Sequence, residues 1–209
     1  MLVKMNVDAF VAELASSSPA PGGGTIAAVT GSFAAGLGNM VCGLTIGNSK
    51  YPEAQPFLPA VQKKLQDLQN EFLRLADEDT DAFNQVMAAF RLPKTTEEEI
   101  DARKEAIAKA NIIAAQVPMR TAEAAVTVLE LLPEVITYGN ANALSDCGVA
   151  TECARTACKG ALMNVAINLP SIKDAEVHAD LSQKKELIKE KMNAAYQNVV
   201  GVLALKFEY

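Results

Sequence analysis

Apolar positions recur at spacings of three and four along most of this chain, and no run of β-branched residues alternates with polar ones. That periodicity predicts helices and no sheet. The clearest stripe is Val61, Leu65, Leu68, Phe72, Leu75, Phe83, Val86 and Phe90. It predicts a long helix from about Pro56 or Pro59 to Phe90, stopped by Leu92-Pro93. Before it come a short amphipathic helix, Val7 to Ala15, and a second helix from about Thr25 to Ile46. After it, Thr96-Glu97-Glu98-Glu99 reads as a cap with an acidic first turn. That cap opens a helix from Glu97 to about Thr137, with a kink or break expected at Pro118 and an end near Pro133. Two more are expected, from near Ser145 to Asn168 and from Ser182 to Leu205. The predicted fold is all-α: a compact orthogonal-to-antiparallel helical bundle with a central small-residue helix, one domain over residues 1–209.

The second helix differs from the rest. Ile26 to Ile46 carries no charge and is long enough to cross a membrane. Thr30, Ser32, Asn39 and Thr45 interrupt it, no basic residues flank it closely on the N-terminal side, and no second such stretch follows. A buried core helix is the expected role. Gly31, Ala35, Gly38 and Cys42 form a small-residue face where another backbone can come close. So small a face is poor at building a core alone, which predicts close helix neighbours.

Composition narrows the function classes. At 209 residues and 50% hydrophobic, the chain can bury a substantial core. A net charge of −6 argues against nucleic acid and against an anionic membrane as partners. Cys42, Cys147, Cys153 and Cys158 form no C-x-x-C pair, and His178 is the one histidine. A metal site is therefore not expected, and the cysteines read as small core residues in a reducing cytoplasm. No signal peptide is evident, and His178 reads as a surface residue in a polar connection.

Three segments depart from simple core patterning. Pro19-Ala20-Pro21-Gly22-Gly23-Gly24-Thr25 is a loop fitted for close backbone approach, with Thr25 expected to cap the helix behind it. Free N–H groups there suit a carboxylate, a phosphate or an oxyanion, although a tight turn before a buried helix explains the same residues. Asp79 continues the stripe Phe72, Leu75, Asp79, Phe83, Val86, where an apolar residue belongs. Asp77 and Asp81 fall on another side of that helix, free to face water. Asp79 is either a buried cap or ion-pair partner, or a carboxyl tuned for proton transfer. Glu78 points elsewhere and does not pair with it. Arg91 and Lys94, at the end of the same helix, either hold an anionic ligand tail or stabilise the helix terminus. Asn140, Asn142, Ser145 and Asp146 form a polar turn in which Ser145 or Asp146 caps the following helix. One face of that helix ends in Asn164 and Asn168, whose amides either read the edge of a heterocycle or bond neighbouring helices. The Asp79, Gly22–Gly24 and Asn140–Asp146 segments are expected to share a pocket.

Taken in order, Pro21-Gly22-Gly23-Gly24, Asp79 within Leu75 to Phe83, Arg91-Leu92-Pro93-Lys94, Gly139-Asn140-x-Asn142, Ser145-Asp146 and Asn164 to Leu169 resemble the formiminotetrahydrofolate cyclodeaminase family. The likeness runs from about Val7 to Phe207. It implies a helical subunit, an intimate homodimer and a tetrahydrofolate site, with no cofactor beyond the folate substrate, possible polyglutamylation of that substrate, and no metal. The formiminotransferase domain of the larger bifunctional members is absent, so the chain resembles the stand-alone bacterial form. The family's proton-transferring acid matches Asp79. Pro21, Gly22, Gly23, Gly24, Asn140, Asn142, Asp146, Asn164 and Asn168 would contact substrate, with Arg91 and Lys94 on its glutamate tail. The implied reaction turns 5-formimidoyltetrahydrofolate into 5,10-methenyltetrahydrofolate and ammonia. Hydrolysis of the methenyl compound to 10-formyltetrahydrofolate is a cousin reaction, and a non-catalytic folate-binding or scaffold protein is the reading from another class.

Overall fold

The computed structural model describes residues 1–206. Phe207, the last residue of the family likeness, lies outside the described residues. Six α-helices account for most of the described chain: α1 (Val7–Leu14), α2 (Gly23–Thr45), α3 (Leu58–Phe90), α4 (Glu97–Tyr138), α5 (Leu144–Asn168) and α6 (Ala175–Ala204). No strand occurs among the described residues.

Contacts at the ends of α2 give the bundle its direction. Gly23 at its start lies beside Asn164, near the end of α5, and Gly24 beside Asp79 of α3. Thr45 at its finish accepts a hydrogen bond from the Asn140 N–H, just before α5. Helix α2 is therefore antiparallel to α5, and by its contacts with Phe72 and Leu65 antiparallel to α3 as well. It packs on α3, α4 and α5, while α6 covers α4 and α5 from outside. The expected central helix is α2.

The small-residue face explains this position. A methyl group on Gly31 would lie 2.4 Å from the ring of Phe72, and one on Gly38 would lie 3.0 Å from Leu65. Gly31, Ala35, Gly38 and Cys42 are all buried. The face meets α3 inside the subunit, so the close neighbour it requires comes from the same chain. Cys42, Cys147 and Cys158 are buried free thiols. Burial pushes them up to about 11 for Cys42 and about 12 for each of the others, which keeps them protonated and unreactive.

Several helix boundaries differ from those the pattern predicts. Helix α4 runs unbroken through both Pro118 and Pro133 to Tyr138. Pro118 leaves the Ala114 carbonyl without its usual donor, and Asn168 Nδ2 donates to that carbonyl at 2.8 Å. Helix α6 begins at Ala175, not Ser182, because Asp174 caps it by accepting from the N–H groups of Glu176 and Val177. His178 therefore lies in the first turn of α6 rather than in a connection, partly exposed. The Thr96–Glu99 capping box at the start of α4 is present on both sides. Helices α2 and α4 are each long and apolar enough to cross a membrane, yet half or more of each apolar window is buried within the bundle. The absence of a second such stretch, expected from the sequence, does not hold for α4.

Candidate functional site

The glycine loop, α3, α4 and the end of α5 enclose a cleft of about 330 Å³. Gly22, Gly23 and Gly24 form one wall, Asp79, Phe83 and Val86 a second, and Ala114, Asn164 and Asn168 a third. Pro19 and Ala20 form the rim, and the bond from Ala20 into Pro21 is cis.

Thr25 does not cap α2. The cap position is Gly22, which offers no side chain, and Thr25 is already inside the helix. The missing cap comes from α3. Thr25 Oγ1 donates to Asp79 Oδ2 at 2.9 Å and lies 3.2 Å from the Thr80 hydroxyl. The Thr25 backbone also bonds the Asp79 carboxyl. A methyl group on Gly24 would sit 2.1 Å from Asp79 Oδ1, so glycine at this position is what allows the carboxylate to reach the helix terminus. Free N–H groups and the helix dipole favour a negative charge there.

Burial pushes the Asp79 carboxyl above its ordinary value, and the hydrogen bonds from the Thr25 side chain and backbone pull it back only in part. Asp79 is thus both a cap for a neighbouring helix and a carboxyl lining a cleft, and the two readings of its place on the stripe are compatible. Its neighbours have separate roles. Glu78 is held by Arg74 at 2.6 Å and by Arg120. Asp77 does not face water freely: its Oδ1 accepts from the Leu2 N–H at 2.7 Å, and its Oδ2 is buried without a partner. Asp81 is exposed.

The amides at the end of α5 reach the same cleft. Asn164 packs against Gly23 and donates to the Gly160 carbonyl at 2.8 Å. Asn168 donates to the Ala114 and Asn164 carbonyls at 2.8 and 3.0 Å. Arg91 and Lys94 are exposed beyond Phe90, at the cleft end of α3, and do not line the cleft itself. The Phe90 carbonyl is served by Arg103 from α4, which also lies over the Phe90 ring. Arg103 thus takes the terminus-stabilising role considered for Arg91. Nothing in the one-dimensional pattern pointed to it.

The Asn140–Asp146 turn is at the other end of α2. Asn140 accepts from Tyr51 Oη at 2.9 Å and from the Asn142 N–H, while its own N–H bonds Thr45. It caps the short turn Ala141–Ala143, and α5 then starts at Leu144 with no side-chain cap from Ser145 or Asp146. Within one subunit, therefore, the cleft gathers Asp79, Gly22–Gly24, Asn164 and Asn168 but not Asn140, Asn142 or Asp146. Among the described residues no group of three or more His, Cys, Asp or Glu side chains is placed to hold a metal.

Residues 6–187 match the profile of the formiminotransferase-cyclodeaminase family. The chain belongs to this family. It is 39% identical over 168 residues to a methenyltetrahydrofolate cyclohydrolase from Methylorubrum extorquens, covering 80% of this chain and 81% of that protein. It is 32% identical over 204 residues to the formimidoyltransferase-cyclodeaminase of Gallus gallus, covering 98% of this chain but only 37% of that longer protein. In three dimensions it superposes on the formiminotetrahydrofolate cyclodeaminase of Thermotoga maritima with a TM-score of 0.86 and 25% identity, covering 98% of each chain. A family of folate one-carbon enzymes, with an all-α fold, thus accounts for the whole described bundle.

Proposed function

We propose that this enzyme joins or opens a one-carbon bridge between N5 and N10 of tetrahydrofolate, with Asp79 carrying the proton. The supporting observation is the Asp79 carboxyl, buried enough to be raised, fixed by Thr25 and facing a cleft lined by two amides. In the cyclodeaminase direction, N10 attacks the formimidoyl carbon of 5-formimidoyltetrahydrofolate. The formimidoyl group reacts as its protonated amidinium, N5–CH=NH2+. The N10 proton passes to ionised Asp79 and from there to the amino nitrogen of the tetrahedral intermediate, whose bond to carbon breaks to release ammonia. The 5,10-methenyl product remains. The folate supplies both nitrogens, so the protein's task is orientation and proton transfer. Gly22–Gly24, with Pro21 beside them, Asn164 and Asn168 would orient the ring. Arg91 and Lys94, exposed at the cleft end of α3, suit the carboxylates of a glutamate or polyglutamate tail.

A second reading has its own support: the Methylorubrum relative of similar size is named a cyclohydrolase. There, Asp79 would take a proton from water as it adds to the cationic methenyl carbon and give it to N5 as the N5–carbon bond breaks. The remaining hydroxyl proton goes to solvent and the formyl group stays on N10, giving 10-formyltetrahydrofolate. The whole chain would act as one domain in the cytoplasm, as a homodimer, without metal and without nucleic-acid or membrane partners.

The deciding assay offers pure protein 5-formimidoyltetrahydrofolate and 5,10-methenyltetrahydrofolate separately, with and without chelator. Turnover of the first compound is expected, undiminished by chelation. Turnover of the second alone makes the enzyme a cyclohydrolase. Folate binding with no turnover of either supports the non-catalytic alternative, and activity lost to chelation and restored by metal overturns the metal-free reading.

A further inference from the structure

A side-chain amide has two N–H donors and one carbonyl acceptor. Both donors of Asn168 are committed to backbone carbonyls, those of Ala114 and Asn164. The Ala114 carbonyl is available because Pro118, four residues on, has no N–H to offer it. The ring of Pro118 is buried in a continuous helix, so this vacancy is a permanent feature of α4. Ala114 and Asn168 both line the cleft with Asp79. The one polar atom of Asn168 left over is Oδ1, which is neither bonded within the described residues nor buried away from solvent.

We infer that Pro118 is a positioning residue: the carbonyl it frees locks the Asn168 amide in one orientation, so that Asn168 presents a fixed acceptor to an N–H edge of the ligand. A free amide can turn over and show either a donor or an acceptor at little cost. This one cannot, because turning it over would aim its oxygen at two carbonyl oxygens. The site therefore selects ring edges that donate at this point and disfavours those that accept. The ligand half of the inference rests on the folate reading above, since the reduced pterin ring carries donor N–H groups along its edge. The locking half rests on geometry alone.

The test is a double-mutant cycle of Asn168→Leu and Pro118→Ala, read by thermal melting and by calorimetric binding of 5-formyltetrahydrofolate. In the natural background Asn168→Leu strands the Ala114 carbonyl and should lower Tm by about 3 °C or more. In the Pro118→Ala background the new N–H serves that carbonyl, and the same change should move Tm by less than about 1 °C. Pro118→Ala alone should keep the helical content yet weaken folate binding about threefold, because the amide is then held only by its bond to the Asn164 carbonyl. Asn168→Leu should weaken binding about tenfold in both backgrounds. In the Pro118→Ala background Asn168→Asp, which keeps an acceptor, should bind more tightly than Asn168→Leu.

Equal Tm losses in both backgrounds overturn the locking. Coupled Tm values with binding indifferent to Asn168 overturn the acceptor role. A natural protein that binds no folate overturns the functional reading and the ligand half with it, while coupled Tm values would still uphold the lock.

Discussion

Asp79 caps α2 and lines the cleft, and the proton transfer proposed for it can be separated from the cap by substitution. Asp79→Asn keeps an oxygen to accept from Thr25 and cap α2, but it cannot carry a proton. Turnover is expected to fall about 10²-fold or more with folate binding retained. Asp77→Asn, at the residue that anchors the Leu2 N–H, should do much less, and equal damage from both would move the proton carrier to another group. The pH dependence has a defined sign. In the proposed reaction Asp79 starts ionised, so kcat should fall as pH drops through its raised pKa, on an acid limb above the ordinary aspartate range. For stability the costly form is the ionised one. The native chain is penalised above the raised pKa, and the penalty vanishes below the pKa of the unfolded chain. Asp79→Asn should therefore raise Tm near pH 7, and melts at decreasing pH should show the gain shrinking through that interval. The glycines beside it differ in the same way. A methyl group at Gly24 would fall on the Asp79 carboxylate, whereas one at Gly23 would meet only the Asn164 amide at 3.4 Å. Gly24→Ala should cost about tenfold or more in turnover by displacing the carboxylate, and should lower Tm because the displaced group no longer caps α2. Gly23→Ala should be milder, and a Gly24→Ala enzyme of natural activity would mean that this contact does not set the carboxylate's position.

Helix α2 shows how a sequence specifies an element through what it leaves out. With no large side chain on the face toward α3, it lets Phe72 fill the space above Gly31 and Leu65 the space above Gly38. Phe72 is completely buried, so it cannot move aside cheaply. Gly31→Ala should cost about 1–3 kcal/mol by overpacking, despite the better helix propensity of alanine, and chemical denaturation would measure it. That face was legible because spacing alone defines it, and Asp79 was legible because it breaks a stripe. Features closed by a distant partner were not. Pro133 reads as a stop until the packing of α4 on its neighbours outweighs its local preference, and Asp174 caps α6 beneath a polar turn that carries no apolar periodicity. Asp77 reads as a solvent-facing residue because its partner is the backbone of Leu2, far away in sequence. The shared pocket expected for Asp79 and the Asn140–Asp146 turn, because both break the core pattern, is not formed within a subunit, since the length of α2 keeps them apart.

At the scale of the whole molecule, that separation leads to a prediction about assembly. The small-residue face of α2 is used inside the subunit, but another face of the same helix is open. Phe33, Met40 and Leu44 lie along it at 59%, 41% and 50% exposure, at helical spacing, on the element that packs against three others. Apolar side chains in a row on a central helix suit a partner rather than water. A two-fold axis across the middle of that face would set α2 antiparallel to its copy. The end carrying the Asn140–Asp146 turn of each subunit would then approach the Asp79 end of the other. Such a dimer would complete each cleft with the amides the single subunit leaves at its far end. Phe33→Glu places a charge on this face without touching the cleft lining. Sedimentation at micromolar concentration should show a dimer for the natural protein and a monomer for the variant, with helical content unchanged. If the turn belongs to the site, the monomer should lose turnover by tenfold or more; Asn142→Ala, exposed and outside the subunit's own cleft, should weaken folate binding in the dimer and have no further effect in the monomer. A fully active monomer would confine the site to one subunit and leave the Asn140–Asp146 turn a structural element, while a natural protein that sediments as a monomer would remove the dimer altogether.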